Sequence, residues 1–168
     1  MDSPMGKFEH FLYLLFCLGA WILGVITLLI LHDVIARNIG LSAFAHTLAL
    51  TEYGLYYTAL LGSPWLVRNK HHIYMQLVTA AVPASLRPYV ARSSYLICTV
   101  VCFLIAFYSA EVTLETFSRG DTEVRSFDMP RWVIFSIMPF SFSLLTIEFG
   151  RYLIGKDSMY DGEVGVHE

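Results

Sequence analysis

Charge is scarce in this 168-residue chain, and cations are not in surplus. Lysine and arginine number 11 against 14 acidic residues, a formal net charge of −3. That leaves no basic footprint for nucleic acid. Charged residues are 15% of the sequence and gather mainly in the gaps between long apolar stretches. Cysteine is almost missing. Cys17, Cys98 and Cys102 all fall inside apolar stretches, which excludes a framework of paired loop cysteines. Cys98 and Cys102 share a helix face at i, i+4, but with no Cys or His pair at comparable depth they read as apolar packing. No HExxH or CxxC pattern supports zinc, and no nucleophile elbow supports covalent hydrolysis. A b-type haem needs two histidines facing each other across helices at similar depth. Here His32 and His46 flank a hairpin, and His71 and His72 lie at the opposite boundary. A cleavage site of small residues after the first apolar run is lacking too, since Leu31-His32-Asp33 stands there. That run reads as a retained helix rather than a signal peptide. The expectation is a non-enzymatic protein with no cofactor and no bound metal.

What is present is hydrocarbon-compatible sequence. The hydrophobic fraction is 56% and the mean hydropathy +0.57. Residues 11–31 carry no formal charge. At ~1.5 Å rise per residue such a run crosses a ~30 Å hydrocarbon core. Residues 43–67 form a second stretch, interrupted by His46 and Glu52, and residues 93–110 a third that extends toward Ser118. Residues 133–147 form the shortest, completed by Trp132 and residues 148–153. The fold class expected is an all-α integral membrane protein in a single domain. Its four transmembrane helices cover about residues 10–32, 46–67, 91–117 and 132–153. Between the second and third, the run Ile73 to Val82 is too short to span and ends at Pro83. It reads as an amphipathic helix lying in the interface, within an arm of about residues 70–90.

Four spans put Lys7, Arg68, Lys70, Arg87, Arg92, Arg151 and Lys156 on one side, and Arg37, Arg119, Arg125 and Arg131 on the other. Seven against four places both termini in the cytoplasm. Residues 33–42 then form a tight outer turn with Gly40 as its breaker. Pro130 suits a helix start and Trp132 an interface belt. Glu115 and Arg119 make a favourable i, i+4 pair at the outer interface.

Glu52 is the acid deepest in a span. A carboxylate there faces protein or water, because facing lipid is costly. It either relays protons or cations, or contacts a neighbouring subunit. Ala59 and Ser63 form a small-xxx-small face for close packing against a neighbouring subunit's helix, and Pro64 and Pro139 are candidate kinks. The cluster Arg68-Asn69-Lys70-His71-His72 sits where cations favour a helix C-terminus and lipid phosphates. It is either a generic anchor or a defined site for a phospholipid or partner. Arg37 and Arg131, at the other boundary, are further candidate contacts for a lipid headgroup or partner.

In order along the chain, Val34-Ile35-Ala36-Arg37-Asn38, Thr51-Glu52-Tyr53, Gly62, Arg68-Asn69-Lys70-His71-His72-Ile73, Pro83 and Met129-Pro130-Arg131-Trp132 resemble a known pattern. It is that of the small membrane subunit of tripartite ATP-independent periplasmic (TRAP) transporters, the DctQ-like family. The resemblance spans roughly residues 10–153, with the Arg/Lys-x-His-Ile junction its most specific element. Where family members often carry a Trp and paired acids in the second span, this chain has Thr51-Glu52-Tyr53. The resemblance implies a bacterial inner-membrane scaffold beside a large elevator-type subunit that holds the substrate and Na⁺ sites. A periplasmic binding protein would deliver a carboxylate or sulfonate. The competing classes are a self-sufficient small oligomeric transporter or channel, and a haem-bearing membrane anchor of a redox complex. Liposome flux by this chain alone would favour the former, a Soret band the latter.

Overall fold

The computed structural model describes residues 6–41, 46–69, 87–123 and 129–154. Four helices are found among them: α1 Lys7–Asn38, α2 Thr47–Arg68, α3 Arg87–Arg119 and α4 Arg131–Leu153. A two-residue antiparallel bridge pairs β1, Thr122–Glu123, with β2, Met129–Pro130. α1 packs on α2, α2 on α4, and α4 most extensively on α3. The chain therefore alternates between a near end, where α1 and α3 begin and α2 and α4 finish, and a far end.

α1, residues Arg92–Arg119 of α3, and α4 are long and apolar enough to cross a membrane. Their outward surfaces are apolar; Trp21, for example, is 73% exposed. Water would disfavour such surfaces, and lipid or a partner helix would not. α2, at 22 residues, rises about 33 Å but is more polar, with Thr47, Thr51, Glu52, Thr58 and Ser63. Much of that polarity is spent on backbone carbonyls. Thr51 Oγ1 donates to Thr47 O at 2.8 Å, Thr58 Oγ1 to Gly19 O at 3.2 Å, and the Tyr57 hydroxyl to Val133 O at 2.6 Å. Two of these three bonds cross to a neighbouring helix, so composition alone understates how well α2 is accommodated inside the bundle.

Helix ends depart from the sequence expectation in two places. The outer turn expected over residues 33–42 is largely helix, because α1 runs on to Asn38. The Asp33–Arg37 pair, 2.9 Å at i, i+4, supports that last turn. Gly40, at φ +80, then ends it: its N–H donates to Arg37 O and the Leu41 N–H to Ala36 O. These are the two bonds of a Schellman motif, which needs a left-handed residue at this position. Gly120, φ +68, closes α3 in the simpler way, with its N–H on Thr116 O. The third span begins earlier than expected, at Arg87, with Pro88 in its first turn where its missing N–H costs nothing. The expected interfacial helix, Ile73 to Val82, lies outside the described residues.

α1 and α2 meet at glycine. A Cβ on Gly54 would run into the Ile26 side chain, with Cγ1 at 2.8 Å, and one on Gly19 would press on Thr58 O at 3.3 Å. Small residues let the two backbones approach. On the other side, Val67, Tyr95, Cys102, Leu145 and Tyr152 form the buried core where α2, α3 and α4 converge. Cys102 sits in that core and Cys98 is half-buried one turn away, consistent with packing.

Candidate functional site

The near end gathers charge into the protein. Glu148, in α4, is 0% exposed. Its Oε1 accepts Arg68 Nη1 from the last residue of α2, and its Oε2 accepts Arg151 Nη1, both at 2.9 Å. Glu9, in the first turn of α1, approaches Arg68 Nε at 3.6 Å. The Phe8 ring lies 5.9 Å from the Arg68 guanidinium carbon, within cation–π range. One carboxylate thus ties the end of α2 to α4, with α1 alongside. A buried charge survives only when it is paired and hydrogen-bonded, and both oxygens of Glu148 have a cationic donor.

Tyr152 completes this end. Its hydroxyl reaches Val67 O at 3.1 Å and Arg68 O at 3.0 Å, in the last turn of α2, where intrahelical donors run out. Its ring stacks on Tyr95 of α3 at 5.7 Å between centroids. One turn deeper, Pro64 lacks an N–H and so frees the carbonyl of Leu60. Ser141 of α4, 1% exposed, donates to that oxygen at 2.6 Å, and Ser63 at 3.1 Å. The helix break is repaired by the neighbouring helix.

The expected site residues divide into three groups. Arg68 lies in the buried cluster; Lys70 and His71 are outside the described residues. Arg37 and Arg131 are at the far end, exposed, paired with Asp33 and Glu123 respectively at 2.9 Å, so the five boundary residues do not form one site. Ser63 turns toward Ser141 within the chain, 3.3 Å between hydroxyls. Glu52 and Ala59 are exposed on α2. With Leu48, Leu55 and Leu66 they make one stripe, at steps of three, four and seven residues, and Leu48 is 81% exposed. Sequence reasoning missed Glu148, Glu9, Tyr152 and Ser141, and took Arg151 only as a topology cation. Two signals were available: a Glu three residues before an Arg at the end of the last span, and a proline whose freed carbonyl demanded a donor.

Fold and site together define a small helical membrane protein, assembled at one end by a buried ionic cluster and leaving a stripe of α2 open. The model of the DctQ component of tripartite ATP-independent periplasmic transporters matches residues 26–156. The chain belongs to that family, and so is the small membrane component of a transporter that works as a tripartite complex. No curated protein and no solved structure matches it.

Proposed function

We propose that this chain is a non-catalytic scaffold that crosses the inner membrane four times, with both termini cytoplasmic. On this reading α2 is the fourth spanning helix, and the near end is the inner boundary. The scaffold supports a large elevator-type subunit. That subunit carries out Na⁺-driven uptake of a carboxylate or sulfonate delivered by a periplasmic binding protein. The observation that carries the reading is the open stripe on α2. α1 and α4 pack on that helix, yet Leu48, Glu52, Leu55, Ala59 and Leu66 stay exposed along one side. Such a stripe, apolar with one carboxylate in it, suits a partner helix better than lipid alone.

Glu52 substitutions test it. Glu52→Gln keeps a hydrogen-bond acceptor of nearly the same size, so the assembled transporter keeps its uptake. Glu52→Leu loosens association with the large subunit, read by co-purification. An assembled Glu52→Gln complex that binds substrate but no longer couples transport to an ion gradient would make Glu52 a coupling residue and overturn the scaffold reading. Topology has its own test: cysteines introduced after Lys156 label from the cytoplasm, and those at residues 121–123 from the periplasm. Periplasmic labelling of the tail would invert the assignment.

A further inference from the structure

α3 is packed mainly on one side, against α4, where Cys102, Ala106 and Ser109 are buried. The opposite side carries Phe103, Phe107, Glu111 and Leu114, at steps of four, four and three residues, and all are exposed. Glu111 is the one carboxylate in this otherwise aromatic and aliphatic set. Among the described residues it has no ion pair and no hydrogen bond. Arg119, two turns further along the helix, is held by Glu115. Nor does Glu111 stand at the rim. Phe117 packs edge-on against Trp132, 5.5 Å between centroids, and a tryptophan at this helix start marks the far boundary. Glu111 lies six residues further in, about 9 Å. Its neighbour Val112 lines an apolar recess of about 320 Å³ with Phe135 and Met138. Glu111 is therefore level with the second turn of α4, not with its start. A carboxylate at such depth pairs with a cation or faces water, because facing lipid is costly. Among the described residues, every Lys and Arg falls within the outer two turns of its helix. A second copy in the same orientation thus brings none of those cations to this depth, and a different chain has to supply one.

We infer that this face of α3 docks a helix of the large membrane subunit that bears an Arg or Lys level with Glu111. Apolar side chains on either side of the carboxylate supply the packing, and the ion pair sets the depth at which the two helices meet. The inference rests on the scaffold reading for the partner's identity, and it adds a second contact to the α2 stripe.

The test uses the full-length chain in two settings: co-expressed with the large membrane subunit of its transporter, and alone in detergent. Glu111→Gln keeps the size of the side chain and drops its charge. It lowers recovery of the large subunit about tenfold, the scale of one charge-assisted hydrogen bond. Glu111→Lys, which sets two cations against each other, brings recovery to background. In the chain alone no partner is lost, so Glu111→Gln leaves the unfolding midpoint unchanged or raises it. Unchanged recovery in either variant overturns the proposal. So does a lowered midpoint in the isolated Glu111→Gln chain, because it means that the carboxylate is paired internally. A photo-reactive residue in place of Leu114 identifies the occupant of this face. An adduct with the large subunit supports the proposal; an adduct of two copies of this chain, or no protein adduct, refutes it. The two contacts fail separately. Loss of recovery in Glu111→Gln beside full recovery in Glu52→Leu removes the α2 stripe and leaves α3 as the docking face. The converse removes this inference alone, and a wild-type chain that recovers no large subunit removes both.

Discussion

The two ends of the bundle use the same residue types to opposite effect. At the far end, Asp33–Arg37 and Glu115–Arg119 pair within single helices, and Glu123–Arg131 pairs across the short β bridge beside the Arg131 N–H to Asp121 O bond. Each leaves at least one partner well exposed. At the near end, Arg68 and Glu148, 80 residues apart in sequence, pair in the interior, with Arg151 on the other carboxylate oxygen. Exposed pairs are worth about 0–1 kcal/mol because solvent and side-chain entropy dilute them. A buried carboxylate deprived of its partners, or arginines deprived of theirs, costs far more. The far end is decorated with ion pairs; the near end is built on one.

The largest effect expected follows directly. Glu148→Ala strands two arginines that are mostly buried and breaks the α2–α4 tie, which should cost about 3–5 kcal/mol. Thermal unfolding in detergent reads it, with Glu123→Ala as the far-end counterpart. The contrast fails if the two substitutions lower the midpoint equally.

Next in size is a substitution in the α1–α2 contact, where shape rather than charge joins the helices. Gly54→Leu drives a side chain into Ile26, an overpacking cost of about 1–3 kcal/mol. Ile26 meets the new side chain with its flexible outer atoms, so Ile26→Ala should recover much of the loss in the double variant. No recovery would mean that the glycine serves something other than close approach.

The same contrast explains what the sequence disclosed. Apolar runs located the four described helices, three of them long and apolar enough to cross a membrane, because apolar length is a local property of sequence. Glu115–Arg119 was legible because it lies within one turn. The end of α1 was misplaced, because Asp33 and Arg37 look like loop residues until they are seen to pair along a helix. Glu148 was not legible as a hub. A carboxylate near the end of a span reads as a solvated terminus unless its partners, one of them 80 residues away on another helix, are known. Ser63 was placed on a subunit-facing surface by its spacing from Ala59. The proline next to it sends it instead toward Leu60 O and Ser141.

That proline allows a smaller, sharper test. Ser141→Ala removes the donor to Leu60 O and should cost about 1 kcal/mol, near the scale measured for hydrogen bonds between membrane helices. Pro64→Ala restores an N–H to the same carbonyl. Against that background Ser141→Ala should cost less, and the coupling in a double-mutant cycle measures the repair. Additive losses would show that Ser141 contributes packing rather than a hydrogen bond to the freed carbonyl.

The smallest effect belongs to Glu115→Gln. The carboxylate bonds Arg119 one turn on, and both side chains are more than half exposed. The pair lies in the last turns of α3, close to the left-handed Gly120 that closes the helix through its own backbone bond. Gln preserves the helix propensity and can still accept from Arg119, so only a screened Coulomb attraction is lost. The expected change in stability is about 0.5 kcal/mol or less, and it should shrink further as salt is raised. The measurement is a pair of unfolding midpoints at low and high ionic strength, taken beside those of Glu148→Ala. A salt-insensitive loss as large as that of the buried cluster would mean that Glu115 is enclosed by a partner in the assembled transporter. The far end would then be a second interior junction rather than a solvated rim.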